Sequence, residues 1–410
     1  MRTIGRLALA GTAVALMAPS APKTLDPAAT VREHVQPITR VSATGFSGPA
    51  WDALVADGAG AQFTMVGEQH GSGSIALFET ALHRELARRG YTHSAYEVGP
   101  YSARFAESLI RSGDGRLAQY IAAPGHGFTI PFFFFGEESK MAEDMVRMSP
   151  DKHEAIFGLD QEFVGSGPIL GSDLQAMARN DGQKRAVAAF QAASAADPMF
   201  IGKISDAQVA SLDEAFRGNP EAEALIDAIR TSARIYKPFI TGVGTIYDAN
   251  LERENYMKMN FIRQFAAAAR RNGKAPKVFF KFGGYHAMRG FSGTDVPALT
   301  NFLSEWGRPQ GYRVMNLLVD CIGGQAMNPQ TNKPEACESY FGDDSILRQT
   351  VANGPPVQVV DLRALRPLLP KLKLDNATRT VVLAFDYYVA IRDGVAATPL
   401  GALPATKPKA

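Results

Sequence analysis

The sequence predicts an α/β fold, with a largely parallel central sheet flanked by helices and a helical insertion capping a cleft. Short apolar runs alternate with segments of helical periodicity, the pattern of strand–helix–strand units in a parallel sheet. Ionisable residues stand where those runs end, which is the edge at which such sheets bind ligands. Between about 172 and 237 the strand signal disappears, and Ala, Gln, Glu and Leu dominate.

Residues 1–21 have the layout of a secretory signal peptide, with Arg2 and Arg6 before an apolar run and small residues and prolines after it. The run is too short to span a bilayer comfortably. The first part of the core is expected over 22–171. Its first strand is the run Phe63 to Val66, followed by Gly67-Glu68-Gln69-His70. A helix from about Ile75 to Arg89 follows, with Leu77, Phe78, Ala81, Leu82 and Leu86 on one face. A second strand in "THSAYEVGP" ends at Glu97, a helix covers about Ala103 to Ser112, and a third strand lies around Ala155 to Leu159. The insertion, 172–237, reads as a helical cap packed over one side of the sheet. The second part of the core, 238–396, carries strands around Lys277 to Phe282, around Arg313 to Val319, and within "TRTVVLAFDYYVAIRD". The Pro/Ala-rich tail, 397–410, reads as disordered.

Composition narrows the class of function. The chain has 410 residues, is 46% hydrophobic and 20% charged, and carries a net charge of +2. Removing Arg2 and Arg6 with the signal leaves +2 − 2 = 0. A near-neutral chain has no electrostatic footprint for nucleic acid or an anionic membrane, so the expected partner is a small-molecule substrate. The only two cysteines, Cys321 and Cys337, bracket a Gly/Asn/Pro-rich stretch without histidine. In an exported chain, periplasmic or secreted, that pair reads as a disulfide and not as a zinc site.

Candidate site residues follow from position. Glu68 and His70 come just after the first strand, Glu97 closes the second, Asp160 follows the third, and His286 follows "KVFFKFGGY". Arg289 lies three residues beyond His286, while Lys281 and Tyr285 sit within the same segment. Arg253 lies on one helix face with Met257, which reads as core, and Asn260. His126 stands in a glycine-flanked loop, where ligands can reach backbone. His83 and His153 read as ordinary surface histidines, and the aromatic run Phe132 to Phe135 reads as core.

The segments "VGEQHGSGSIALFETALHREL", "SAYEVGP", "RENYMKMN", "KVFFKFGGYHAMRG" and "AFDYYVAIRD" together resemble the erythromycin esterase-like superfamily, which also takes in the ChaN-like haem-binding lipoproteins. The resemblance implies an α/β core with a deep cleft and, in the esterases, a histidine acting as general base on water without a metal. By resemblance His70 is that base, Glu68 and Glu97 are its carboxylate partners, and His286 and Arg289 complete the cleft. The esterases usually place two residues between the first Glu and the His. Here only Gln69 intervenes, which is closer to the ChaN-like pattern.

The chemistry is coherent without the family. A carboxylate can fix the tautomer of a histidine that takes a proton from water, and Arg289 or Lys281 could stabilise an oxyanion on the attacked carbonyl. No G-x-S-x-G elbow, H-E-x-x-H, P-loop or dinucleotide fingerprint is present. The expected activity is hydrolysis of an ester or related acyl bond without a cofactor. Two alternatives stay open: a peptidase holding a divalent metal through His70, Glu97 and His286, and a periplasmic binder of haem or another flat apolar ligand, with Tyr96, Tyr285 or a histidine as axial ligand.

Overall fold

The computed structural model describes residues 24–328 and 331–401. The expected signal segment lies outside them. Eight strands form the main sheet: β1 (Val35–Pro37), β2 (Phe63–Glu68), β3 (Tyr91–Tyr96), β4 (Ile156–Gly158), β5 (Lys277–Gly283), β6 (Val314–Cys321), β7 (Val357–Asp361) and β8 (Tyr387–Ile391). Their spatial order is β1-β7-β8-β6-β2-β5-β3-β4. From β8 to β4 every neighbouring pair is parallel, while β7 runs antiparallel between β8 and β1.

The central strands are buried on both faces, so their sequence is apolar throughout and not alternating. Successive residues still divide between two cores. Val66, Phe279 and Leu317 face one side, where α1 (Gly73–Ala87), α2 (Pro100–Ser112) and α3 (Gly136–Met148) pack. Met65, Phe280 and Leu318 face the other, against α8 (Ile246–Asn272), α9 (Leu299–Gly307) and α10 (Asn376–Ala384). The residues between about 172 and 237 are helical, as expected. They belong to α4 (Gly167–Met177), α5 (Asp181–Ala196), α6 (Asp206–Phe216) and α7 (Pro220–Thr241), which enclose a small core of their own. This layer joins the sheet beside the end of β4, where the Ser232 hydroxyl accepts from the Glu162 amide at 2.9 Å.

Three expectations are corrected. The segment "TRTVVLA" is helix, not strand, because Asp375 caps it by accepting from the Thr378 amide at 2.8 Å. The strand begins only at Tyr387. The run Val357–Asp361 is a strand that the reading passed over, short and antiparallel near the sheet edge. Residues 397–401, assigned to the tail, are docked: the Ala397 amide donates to Gly71 O at 2.9 Å and that of Leu400 to Phe134 O at 2.8 Å.

Cys321 and Cys337 are joined, closing the hairpin Gln325–Asn328/Lys333–Ala336. A cross-link of this span stabilises by roughly 3 kcal/mol in the chain-entropy model. It also braces the loop after β2. The Cys321 amide donates to the Gln69 side chain at 3.1 Å, and the Met327 amide to Gly71 O at 2.8 Å. Gly71 has φ +85°, and a Cβ there would stand 2.1 Å from Met327 O. Gly71→Ala should therefore cost roughly 2–4 kcal/mol in denaturant unfolding, combining left-handed strain with a backbone clash. A loss below about 0.5 kcal/mol, the range of neutral surface changes, would contradict this close approach.

Candidate functional site

Parallel strands deliver their last residues to one edge. The register pairs Glu68 of β2 with Gly283 of β5, and Tyr96, one residue before Glu97, with Lys281. Glu68, Glu97 and the Gly283–His286 turn are therefore neighbours by topology, and Asp160 joins them just beyond β4. The opposite wall comes from α8, which carries Arg253 and Glu254 on its buried stripe with Asn250, Met257 and Phe261.

Glu97 is the junction. One of its oxygens accepts from the Gly283 amide at 2.7 Å, and the other from Arg253 at 2.6 Å. Arg253 also holds Asp160 through two hydrogen bonds of 2.9 and 2.5 Å. His286 Nε2 lies 3.3 Å from Glu97, while its Nδ1 is 2.7 Å from Glu254. Burial alone would lower the His286 pKa, but the Glu97 and Glu254 carboxylates outweigh it and raise it to about 10. Burial would likewise raise Glu97, yet His286 and Arg253 hold it well below the usual carboxylate range. His286 is therefore an imidazolium locked between two carboxylates, with no lone pair to offer.

His70 is built differently. Its Nδ1 is 2.9 Å from Glu68 Oε1, which sets an Nδ1–H tautomer and leaves Nε2 as the acceptor. Nε2 points toward Glu97 at 3.8 Å, beyond hydrogen-bond reach, and the side chain is 33% exposed. Gly283 makes room for it, since a Cβ there would sit 3.0 Å from Nε2. The Phe132 ring, at φ 65°, lies 4.4 Å from the imidazole and closes its other side. Behind it Glu68 is buried and donated to by Lys281 at 2.5 Å. Burial opposes its charge, but Lys281 and His70 hold Glu68 below the ordinary carboxylate range.

Of the expected residues, the structure brings together Glu68, His70, Glu97, Asp160, Arg253, Lys281 and His286. Arg289 stands elsewhere: it pairs with Asp386 at 2.7 and 2.8 Å and reaches Val314 O at the start of β6. It secures the opposite end of the sheet and cannot serve an oxyanion. Lys281 is also unsuited to that role, being only 2% exposed and committed to Glu68 and Glu138. His126 stacks on Tyr120 and bonds its carbonyl at 3.1 Å, which makes it a loop brace. Tyr285 lines a separate apolar cavity of about 390 Å³ with Met288, Phe291, Tyr340 and Phe341. Tyr96 is core, its hydroxyl donating to Met145 Sδ. His83 is buried with its ring edge on Phe279, and burial lowers its pKa to about 4.

Sequence reasoning missed Glu79, Glu138 and Glu254. The three carboxylates share a signal that was available, since each falls on the apolar stripe of its helix: Glu79 with Ile75 and Leu82, Glu138 with Met141 and Met145, Glu254 with Met257 and Phe261. A larger cavity of about 850 Å³ lies away from this chemistry, between α2, α7 and α8. Of its five arginines, Arg104, Arg111, Arg234 and Arg271 are paired with carboxylates, and Arg263 donates to the Asn260 side chain. The proposed metal set does not fit the donors present, because both nitrogens of His286 face carboxylates and Glu97 is saturated by Gly283, Arg253 and His286.

No family model and no curated relative matches the chain. Among solved structures, a succinoglycan biosynthesis protein superposes with a TM-score of 0.60 at 14% identity, covering 90% of this chain and 97% of that one. A Bacillus cereus protein does so with 0.60 at 13%, covering 92% and 98%. A mutant of erythromycin esterase EreC in its open conformation gives 0.60 at 14%, covering 86% and 95%. Haem-bound ChaN of Campylobacter jejuni superposes far less well, at 0.32 with 10% identity. The chain thus shares its fold with the succinoglycan biosynthesis protein, the Bacillus cereus protein and erythromycin esterase EreC.

The charge state of His286 has a thermodynamic signature. Its pKa is raised from 6.5 to about 10 on folding, so the pairing contributes in full below pH 6.5 and is lost as pH rises toward 10. Urea unfolding across that window should show stability falling with pH, and a smaller fall in Glu97→Gln, which removes the nearer negative charge. Equal slopes in the two proteins would contradict the assignment.

Proposed function

We propose that the protein is a hydrolase in which His70 activates water against an ester or related acyl bond, without a metal. The observation that carries this reading is the His70 geometry: Nδ1 is fixed by a buried carboxylate, and Nε2 is unbonded on a side chain that is one-third exposed. In this reading Nε2 takes a proton from water as the oxygen attacks the carbonyl carbon. The resulting imidazolium, held by Glu68, then returns the proton to the leaving oxygen, so that ester and water become acid and alcohol. Developing negative charge would be met by Arg253, whose Nη1 has no partner among the described residues while Nε and Nη2 are fixed on Asp160 and Glu97. The fold it shares with an erythromycin esterase supports an acyl substrate class without identifying the substrate. The Cys321–Cys337 bond supports an oxidising compartment, periplasmic or extracellular.

A second reading, binding of haem or another flat apolar ligand, draws support from the apolar cavity containing Tyr285. Tyr340 in its wall also donates to the Glu68 carbonyl, linking that cavity to the site. The two readings part on one variant. If His70 is the base, His70→Ala should lower turnover on a panel of chromogenic esters by roughly 10²- to 10⁴-fold, with nearly unchanged melting temperature. Unaltered turnover in that variant would reject the hydrolase reading. A Soret band on haem addition, with no ester cleavage by the wild type, would favour the binder.

A further inference from the structure

Behind His70 four ionisable side chains are buried together: Glu68 at the end of β2, Glu79 on α1, Glu138 on α3 and Lys281 near the end of β5. Three carboxylates accompany one ammonium, so full ionisation would give −3 + 1 = −2 in a space without solvent. Lys281 donates to Glu68 at 2.5 Å and lies 3.0 Å from Glu138. Neither oxygen of Glu79 has a hydrogen-bond partner, and the buried charges nearest it include the carboxylates of Glu68 and Glu138. A buried carboxyl group with no donor and other carboxylates nearby is held in its neutral form.

We propose that Glu79 is a neutral carboxylic acid, and that Glu79 and Glu138 are positioning residues fixing the charge of the Glu68–Lys281 pair behind His70. The proton stays on Glu79 and not on Glu68 because Glu68 already accepts from Lys281 and His70, which stabilise its anion, whereas Glu79 has no such donor. Burial, with Glu68 beside it, pushes Glu79 well above the carboxylate range, and burial raises Glu138 to about 7 against the pull of Lys281. The other groups facing the cluster are the Tyr96 hydroxyl of β3, engaged with Met145, the Phe132 ring 5.2 Å from Lys281, and Glu97 beyond His70. With Glu79 neutral the cluster carries −2 + 1 = −1 when Glu138 is ionised and −1 + 1 = 0 when it is protonated, a change centred near pH 7 that acts on His70 through Glu68.

Infrared difference spectroscopy of the full chain tests the first half without needing a substrate. At neutral pH the wild type minus Glu79→Gln spectrum should contain a carboxylic-acid C=O band, and the variant should keep the wild-type melting temperature. Absence of that band, or a variant that fails to fold, would overturn the proposal, since an acid and its amide are near-equivalent there only if the acid is neutral. The second half rests on the hydrolase reading and uses turnover. Glu138→Gln takes away the group whose pKa is raised to about 7 and should remove a titration near that pH from the pH–turnover profile. A profile unchanged around pH 7 would refute the coupling, while a wild type with no turnover would refute the hydrolase reading and leave the infrared result standing.

Discussion

The arrangement at the sheet edge depends on one buried carboxylate, that of Glu97. It is 6% exposed, and an uncompensated charge at such a site would cost several kcal/mol. The chain compensates it from three directions: a backbone amide of the β5 turn, a guanidinium from α8 and an imidazolium from the residue after Tyr285. Each compensation is also a fastening. Glu97 ties the third strand to the turn after the fifth and to the helix behind it, and the positions of Arg253, Asp160 and His286 follow.

This fastening divides the two histidines. His286 is consumed by structure, with carboxylates on both nitrogens, and its positive charge is what the buried Glu97 and Glu254 require. His70 has one carboxylate, one open nitrogen and an aromatic wall. Its loop has few hydrogen bonds of its own and is held from outside by Cys321, Met327 and Ala397. The disulfide hairpin and residues 397–401 thus reach the chemistry indirectly, by keeping the Gln69–Gly71 turn in place.

Much of this was legible in the sequence. The strands carrying Glu68, Glu97, Asp160 and Lys281 are short apolar runs between periodic segments, and a parallel sheet necessarily brings their ends to one edge. Arg253 was legible through its helix face. What escaped did so for physical reasons. The apolar, β-branched stretch Thr380–Leu383 reads as strand until the cap at Asp375 is weighed. Arg289 lies only three residues from His286, but the chain has by then turned back along the sheet toward Asp386. Glu79 and Glu138 fall on the apolar stripes of their helices, a signal visible in the sequence, but the buried Lys281 that explains it is brought near them only by the fold.

The central claim is that the two site histidines hold opposite roles, one a fixed cation and the other a neutral base. Nitrogen-15 NMR of the histidine rings in the intact protein reads this directly. At neutral pH both His286 nitrogens should carry protons, and the neutral ring of His70 should hold its proton on Nδ1 and leave Nε2 bare. A neutral His286, or a His70 with its proton on Nε2, would contradict the account.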